Sequence, residues 1–89
     1  MAVERIVLVR NKRGLHARAS AKFVTMASQY DAAVEVRKDG SSVCGTSIMG
    51  LMMLAAAPGD EIVIAATGIG EDVALAALCQ LVEDKFGEE

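Results

Sequence analysis

The sequence predicts an α+β fold, an antiparallel sheet with helices on one face, in the element order β-α-β-β-α-β-α. Three observations predict it: short apolar or alternating runs that read as strands sit between stretches of helical period, an Asp39-Gly40 pair joins two of those runs directly, and nothing in the 89 residues reads as a linker, an internal repeat or low complexity. Residues 1–89 are therefore expected to form one domain.

Residues 5–9 are β-branched or Leu apart from Arg5, and Asn11, Lys12, Arg13 and Gly14 follow, so a first strand leads into a loop. From Ala17 to about Gln29 the period changes. Arg18, Lys22, Thr25 and Gln29 make a polar stripe, while Ala17, Ala21, Val24, Phe23, Ala27 and Tyr30 cover the other side, which predicts an amphipathic helix beginning near His16. Val34 and Val36 alternate with Glu35 and Arg37, and Asp39-Gly40 turns the chain back through Ser42, Val43 and Cys44 as a hairpin, since glycine accepts the positive φ of such turns. Thr46 and Ser47 supply a cap for a short helix to about Met53, and Pro58-Gly59 ends the segment. Residues 62–67 predict the fourth strand. Gly68 and Gly70 release a last helix with Glu71 and Asp72 at its positive dipole end and Ala74, Leu75, Leu78, Leu81 and Val82 as its buried stripe.

Hydrophobic residues make up 53% of the chain and aromatics 3%, so the core is aliphatic, and a chain this short holds one core and no deep cleft. Cys44 and Cys79 form no CxxC pair, and one histidine does not complete a zinc site with them; both are expected as buried thiols, with no metal and no cofactor. No export signal opens the sequence, and the longest apolar stretch, 48–57, falls well short of the ~20 residues of a membrane helix. A cytoplasmic protein is expected, with no membrane insertion. The net charge of -3 counts against nucleic acid as a partner, yet Arg5, Arg10, Lys12, Arg13, Arg18 and Lys22 crowd the first quarter of the chain and acids dominate from Asp60 onward. Glu83, Asp84, Glu88 and Glu89 read as a solvated acidic tail.

His16 is the only histidine, and it lies where a glycine loop meets a helix whose first amides lack intrahelical partners. A phosphoryl group carried there on the imidazole would be stabilised by the amides of Ala17 and Arg18, the helix dipole and the Arg18 guanidinium. A neutral imidazole is nucleophilic near physiological pH and forms a covalent intermediate that splits one transfer into two. The plainer reading of a histidine at a helix start is a cap.

Gly14-Leu15-His16-Ala17-Arg18, followed about thirty residues later by Ser47-Ile48-Met49-Gly50-Leu51-Met52 and then by Ala66-Thr67-Gly68, resembles the HPr family of bacterial phosphocarriers over essentially the whole chain. The resemblance implies an open-faced β-sandwich with three helices on one side of a four-stranded antiparallel sheet. It implies a carrier rather than an enzyme, working in the phosphoenolpyruvate-dependent phosphotransferase system: enzyme I phosphorylates Nδ1 of His16, Arg18 assists, and the group passes to an enzyme IIA. One position departs from the family's His-x-Arg-Pro, because Ala19 replaces the proline. Alanine is a good helix former, so the helix start should survive; the change bears on the rigidity of the site, or marks a regulatory, nitrogen-type branch.

By the same resemblance Ser47 matches the serine that an HPr kinase/phosphorylase modifies in some members, although a helix cap worth about 1 kcal/mol explains a serine there equally well. Ile48, Met49 and Met52 match the family's docking patch; helical spacing does not bury every apolar residue of this segment, and Leu51 and Leu54 are assigned to the core. The carrier is expected to be a monomer. Alternatives are a mainly regulatory relay controlled at Ser47, a small effector- or RNA-binding α+β module in which His16 is incidental, and an acyl carrier attached through Ser47, which the strand signals oppose. Gly68-Ile69-Gly70 is a turn, since Val73 stands where a dinucleotide fingerprint needs its third glycine.

Overall fold

The computed structural model describes residues 2–88. Along it run β1 (Ala2–Leu8), α1 (Ala17–Ala27), β2 (Ala33–Lys38), β3 (Ser41–Cys44), α2 (Ile48–Met53), β4 (Glu61–Thr67) and α3 (Glu71–Glu83), and a tight turn at Lys85–Gly87 closes the chain. The element order is the predicted one. The strands form one sheet ordered β1-β4-β2-β3 with every pairing antiparallel, so β4, last in sequence, lies between β1 and β2.

Register explains which face is covered. Val7 pairs with Ile62, Ile64 with Val36, and Ala66 with Val34, and all of these are buried beneath the helices. Phe23 of α1, Leu51 of α2 and Leu78 of α3 meet them in one aliphatic core. The alternate residues Glu4, Ile6, Leu8 and Glu35 face outward and are exposed. Across that open face the Arg37 guanidinium donates to Glu4 at 2.6 Å and to Glu35 at 2.7 Å, spanning β1 to β2. Glu35 also accepts from Ser42. The architecture is thus an α+β open-faced sandwich, a four-stranded antiparallel sheet with three helices.

Several sequence expectations shift. β1 starts at Ala2 and ends at Leu8; Val9 leaves the ladder but stays fully buried, its amide donating to Asp60 and its carbonyl accepting from Gly59. α1 stops at Ala27, where the Ser28 hydroxyl donates to the Val24 carbonyl at 2.7 Å. Its buried stripe is Ala19, Ser20, Phe23 and Ala27, whereas Ala17 is exposed, because the helix turns the 19/23/27 edge to the sheet and the basic edge outward. On α3, Cys79 joins the buried stripe and Leu81 is only half-buried. Cys44, expected buried, is exposed at the end of the edge strand β3; Cys79 is buried, and both thiols are free. Among the described residues no helix is long and apolar enough to cross a membrane.

Candidate functional site

After β1 the chain closes a tight loop that sets the entry to α1. The Gly14 amide donates to the Asn11 carbonyl at 3.3 Å, the Asn11 side-chain amide returns a 2.8 Å bond to the Gly14 carbonyl, and the Leu15 amide donates to Ala56 at 3.0 Å. Gly14 has φ 62, and a Cβ there would lie 2.1 Å from the Ala56 carbonyl oxygen. Only glycine fits this approach. Leu15 then anchors in the core, and His16, in extended conformation, becomes the N-cap of α1, with the first helical bond running from the Ser20 amide to its carbonyl at 2.9 Å.

The His16 ring is held at both nitrogens. Nδ1 accepts from the Arg18 amide at a long 3.3 Å, and Nε2 lies 2.8 Å from Oε2 of Glu88. The two side chains are 14% and 17% exposed, so the ring lies at the surface but is not freely rotating in solvent. Desolvation pushes the Glu88 carboxyl up, yet hydrogen bonds from Asn11 and His16, together with the charges of His16 and Lys22, outweigh it and hold the group below the ordinary carboxylate value. An ionised carboxylate accepts only, so the proton of a neutral ring is on Nε2 and the Nδ1 lone pair faces the helix start.

Around Nδ1 the donors are those of an anion site. The amides of Ala17 and Ala19 have no acceptor among the described residues, and the Arg18 amide has only Nδ1. The Arg18 guanidinium is exposed and without a partner among the described residues. Ala19 is the third residue of α1 and fully buried; a proline there would remove no hydrogen bond, which is why the helix begins undisturbed without it.

The second segment lies alongside. Ser47 is the N-cap of α2 and accepts from the Gly50 amide at 2.9 Å; Leu51 and Leu54 are buried as expected. Ile48, Met49 and Met52 are exposed, Met49 to 68%, and Met53, an apolar residue of the same segment left outside the expected docking patch, is 79% exposed. α2 packs against α1, and the loop that follows it touches the histidine loop through Ala56, so the apolar patch and His16 belong to neighbouring elements.

Two residues of the site escaped the sequence reading. Asn11 is fully buried, and its Nδ2 also donates to Glu88 Oε1 at 3.1 Å. Glu88, expected in a solvated tail, is instead turned back onto His16, which lies 72 positions away; Glu89 lies outside the described residues. The available signal was Phe86, an aromatic in an otherwise acidic tail: it is buried and draws the chain end inward.

Comparison with known proteins identifies the family. The family described as "PTS HPr component phosphorylation site" matches residues 3–84. The chain is 54% identical over 78 residues to the phosphocarrier protein HPr of Neisseria meningitidis, covering 88% of each. It is 40% identical over 86 residues to the phosphocarrier protein NPr of Shewanella violacea, covering 97% of this chain and 94% of that one. The crystal structure of HPr-C-His from Thermoanaerobacter tengcongensis superposes with a TM-score of 0.93 at 42% identity over 98% of both chains. Agreement of fold, of sequence and of nearly the full length leaves one conclusion: the chain belongs to the HPr family, the HPr and NPr phosphocarriers of the phosphotransferase system.

Proposed function

We propose that this protein is a single-domain cytoplasmic relay intermediate that receives a phosphoryl group from enzyme I on Nδ1 of His16 and passes it to an enzyme IIA. The observation that carries the reading is the position of Nδ1 against the amino end of α1, within 3.3 Å of the Arg18 amide. In the transfer the long Arg18-to-Nδ1 bond gives way. The Nδ1 lone pair takes the phosphorus, and the amides of Ala17 and Arg18 turn to the phosphoryl oxygens with the Arg18 guanidinium beside them. Phosphoryl transfer asks chiefly for positioning and charge stabilisation, which a surface site supplies when a partner closes over it. The protein is a carrier, regenerated each cycle, rather than an enzyme.

Ile48, Met49 and Met52 serve as the docking patch for both partners, since flexible thioethers adapt to more than one surface. Replacing Met49 with Glu weakens transfer to both without unfolding the protein; unaltered kinetics remove the patch from the account. Ser47 supports a second, regulatory reading, in which an HPr kinase/phosphorylase modifies it: its hydroxyl accepts from Gly50 but has no acceptor of its own among the described residues. A phosphate there adds about two negative charges beside the patch. Ser47→Asp then slows phosphorylation by enzyme I, and an unchanged rate refutes it.

The relay itself is tested by incubation with phosphoenolpyruvate and enzyme I. An acid-labile, base-stable adduct is expected, lost in His16→Ala and retained in Ser47→Ala. An adduct that survives His16→Ala places the chemistry elsewhere.

A further inference from the structure

Residues 85–88 are built into the site. Lys85 and Phe86 adopt φ 57 and 55, a left-handed turn that side-chain-bearing residues rarely take, and it persists because Phe86 is buried in the core and Lys22 Nζ donates to the Phe86 carbonyl at 2.7 Å. The result is a carboxylate delivered to Nε2 of His16. Asn11 holds that carboxylate from the other side, and its own geometry is telling. Its amide gives both N–H bonds, one to the Gly14 carbonyl and one to Glu88, and leaves Oδ1 buried with no partner. A flipped amide would set Oδ1 against two acceptors, so the orientation is fixed and the unpaired oxygen is the cost of holding Glu88 in place.

We propose that Glu88 is a positioning residue for phosphoryl transfer: held by Asn11, it accepts the Nε2 proton of His16, fixes the ring plane with Nδ1 toward the start of α1, and stabilises the charge the imidazole gains during the reaction. This rests on His16 as the phosphoryl acceptor. As Nδ1 attacks, its lone pair becomes the P–N bond, the bond from phosphorus to the donor breaks, and that electron pair leaves with the donor. The ring keeps its proton on Nε2 and becomes positive as the P–N bond forms, which strengthens the hydrogen bond to a carboxylate 2.8 Å away more in the transition state than before it. Onward transfer runs the same steps in reverse, so the same contact serves both halves of the relay. Glutamine does not reproduce it, because Asn11 and His16 donate to different oxygens of Glu88, Oε1 and Oε2, and glutamine replaces one of them with an N–H donor.

The test compares wild type with Glu88→Gln and Glu88→Ala by two readouts. In wild type the ring Nε2–H proton should appear in the NMR spectrum as a downfield resonance protected from exchange, and both variants should lose it. With purified enzyme I, both variants should show a kcat for phosphorylation lowered roughly tenfold, with KM unchanged because the α2 patch is untouched. If either the Nε2–H resonance or kcat is the same in the variants as in wild type, the proposal is overturned. If wild type itself forms no phosphohistidine, the assignment of His16 fails and takes this proposal with it; a phosphohistidine in wild type with unaltered variants refutes the role of Glu88 alone.

Discussion

Two helices of this molecule begin with a side chain that accepts a backbone amide, and they differ in what holds that side chain. Ser47 caps α2 with a 2.9 Å bond from Gly50, made within three residues. His16 caps α1 with a 3.3 Å bond from Arg18, while the ring is steadied by Glu88 at 2.8 Å and its loop by Asn11, Gly14 and Ala56. A cap that serves stability is short and local. A side chain that must leave its cap to take a phosphoryl group is capped weakly and held from behind by distant parts of the chain.

That contrast can be broken most severely at Gly14. Alanine there meets the Ala56 carbonyl and a positive φ together, and a loss of about 3 kcal/mol in stability is expected, read by thermal or denaturant unfolding. Full stability in Gly14→Ala would mean that the loop does not need its close approach. A finer comparison sets the two caps against each other. Ser47→Ala should cost about 1 kcal/mol, whereas His16→Ala, made in a Glu88→Ala background where the Nε2 contact is already absent, should cost only a few tenths; the reverse ranking would make His16 the structural cap and undo the distinction.

Acid titration sharpens the same point. The Glu88 carboxyl is depressed in the folded state, so its contribution is present above its unfolded value of 4.5 and is lost as pH falls through the lower folded value. The Tm of wild type should exceed that of Glu88→Gln near neutral pH, and the gap should close below pH 4.5. A gap that persists in acid would show that the contact does not depend on the charge of Glu88. The smallest effect is expected away from the site, in the chain leaving α2. Ala55 is exposed with φ 54, and Ala55→Gly should stabilise by less than about 1 kcal/mol, since relief of the left-handed strain is partly offset by backbone entropy. A drop in Tm would show that the Ala55 methyl group is needed.

The fold was legible because its signals are local: Asp39-Gly40 marks the hairpin, alternation at Val34 and Val36 marks the covered face, and Ser47 marks a helix start. The candidate histidine was legible for the same reason, since Gly14, His16 and Arg18 are neighbours in sequence. What escaped was non-local or rotational. Nothing in the spacing of Asn11, His16 and Glu88 foretells that they meet, because the meeting depends on Phe86 entering the core and turning the chain end back. The rotation of α1 was misjudged at Ala17 because its small residues lie on every side, and only packing decides that Ala19 and Ser20 face inward. Cys44 illustrates a third kind of miss, for its pairing with Glu35 sets it on the open face of the sheet, and register is a non-local property that β3 alone does not reveal.

The central claim concerns one atom, and it is tested most directly by locating the phosphorus. Phosphorylated protein, prepared with enzyme I and phosphoenolpyruvate, should show a single 31P resonance of a phosphoramidate coupled to Nδ1 of His16, with Nε2 still bearing its proton. Phosphorus on Nε2, or on a hydroxyl oxygen, would contradict the account.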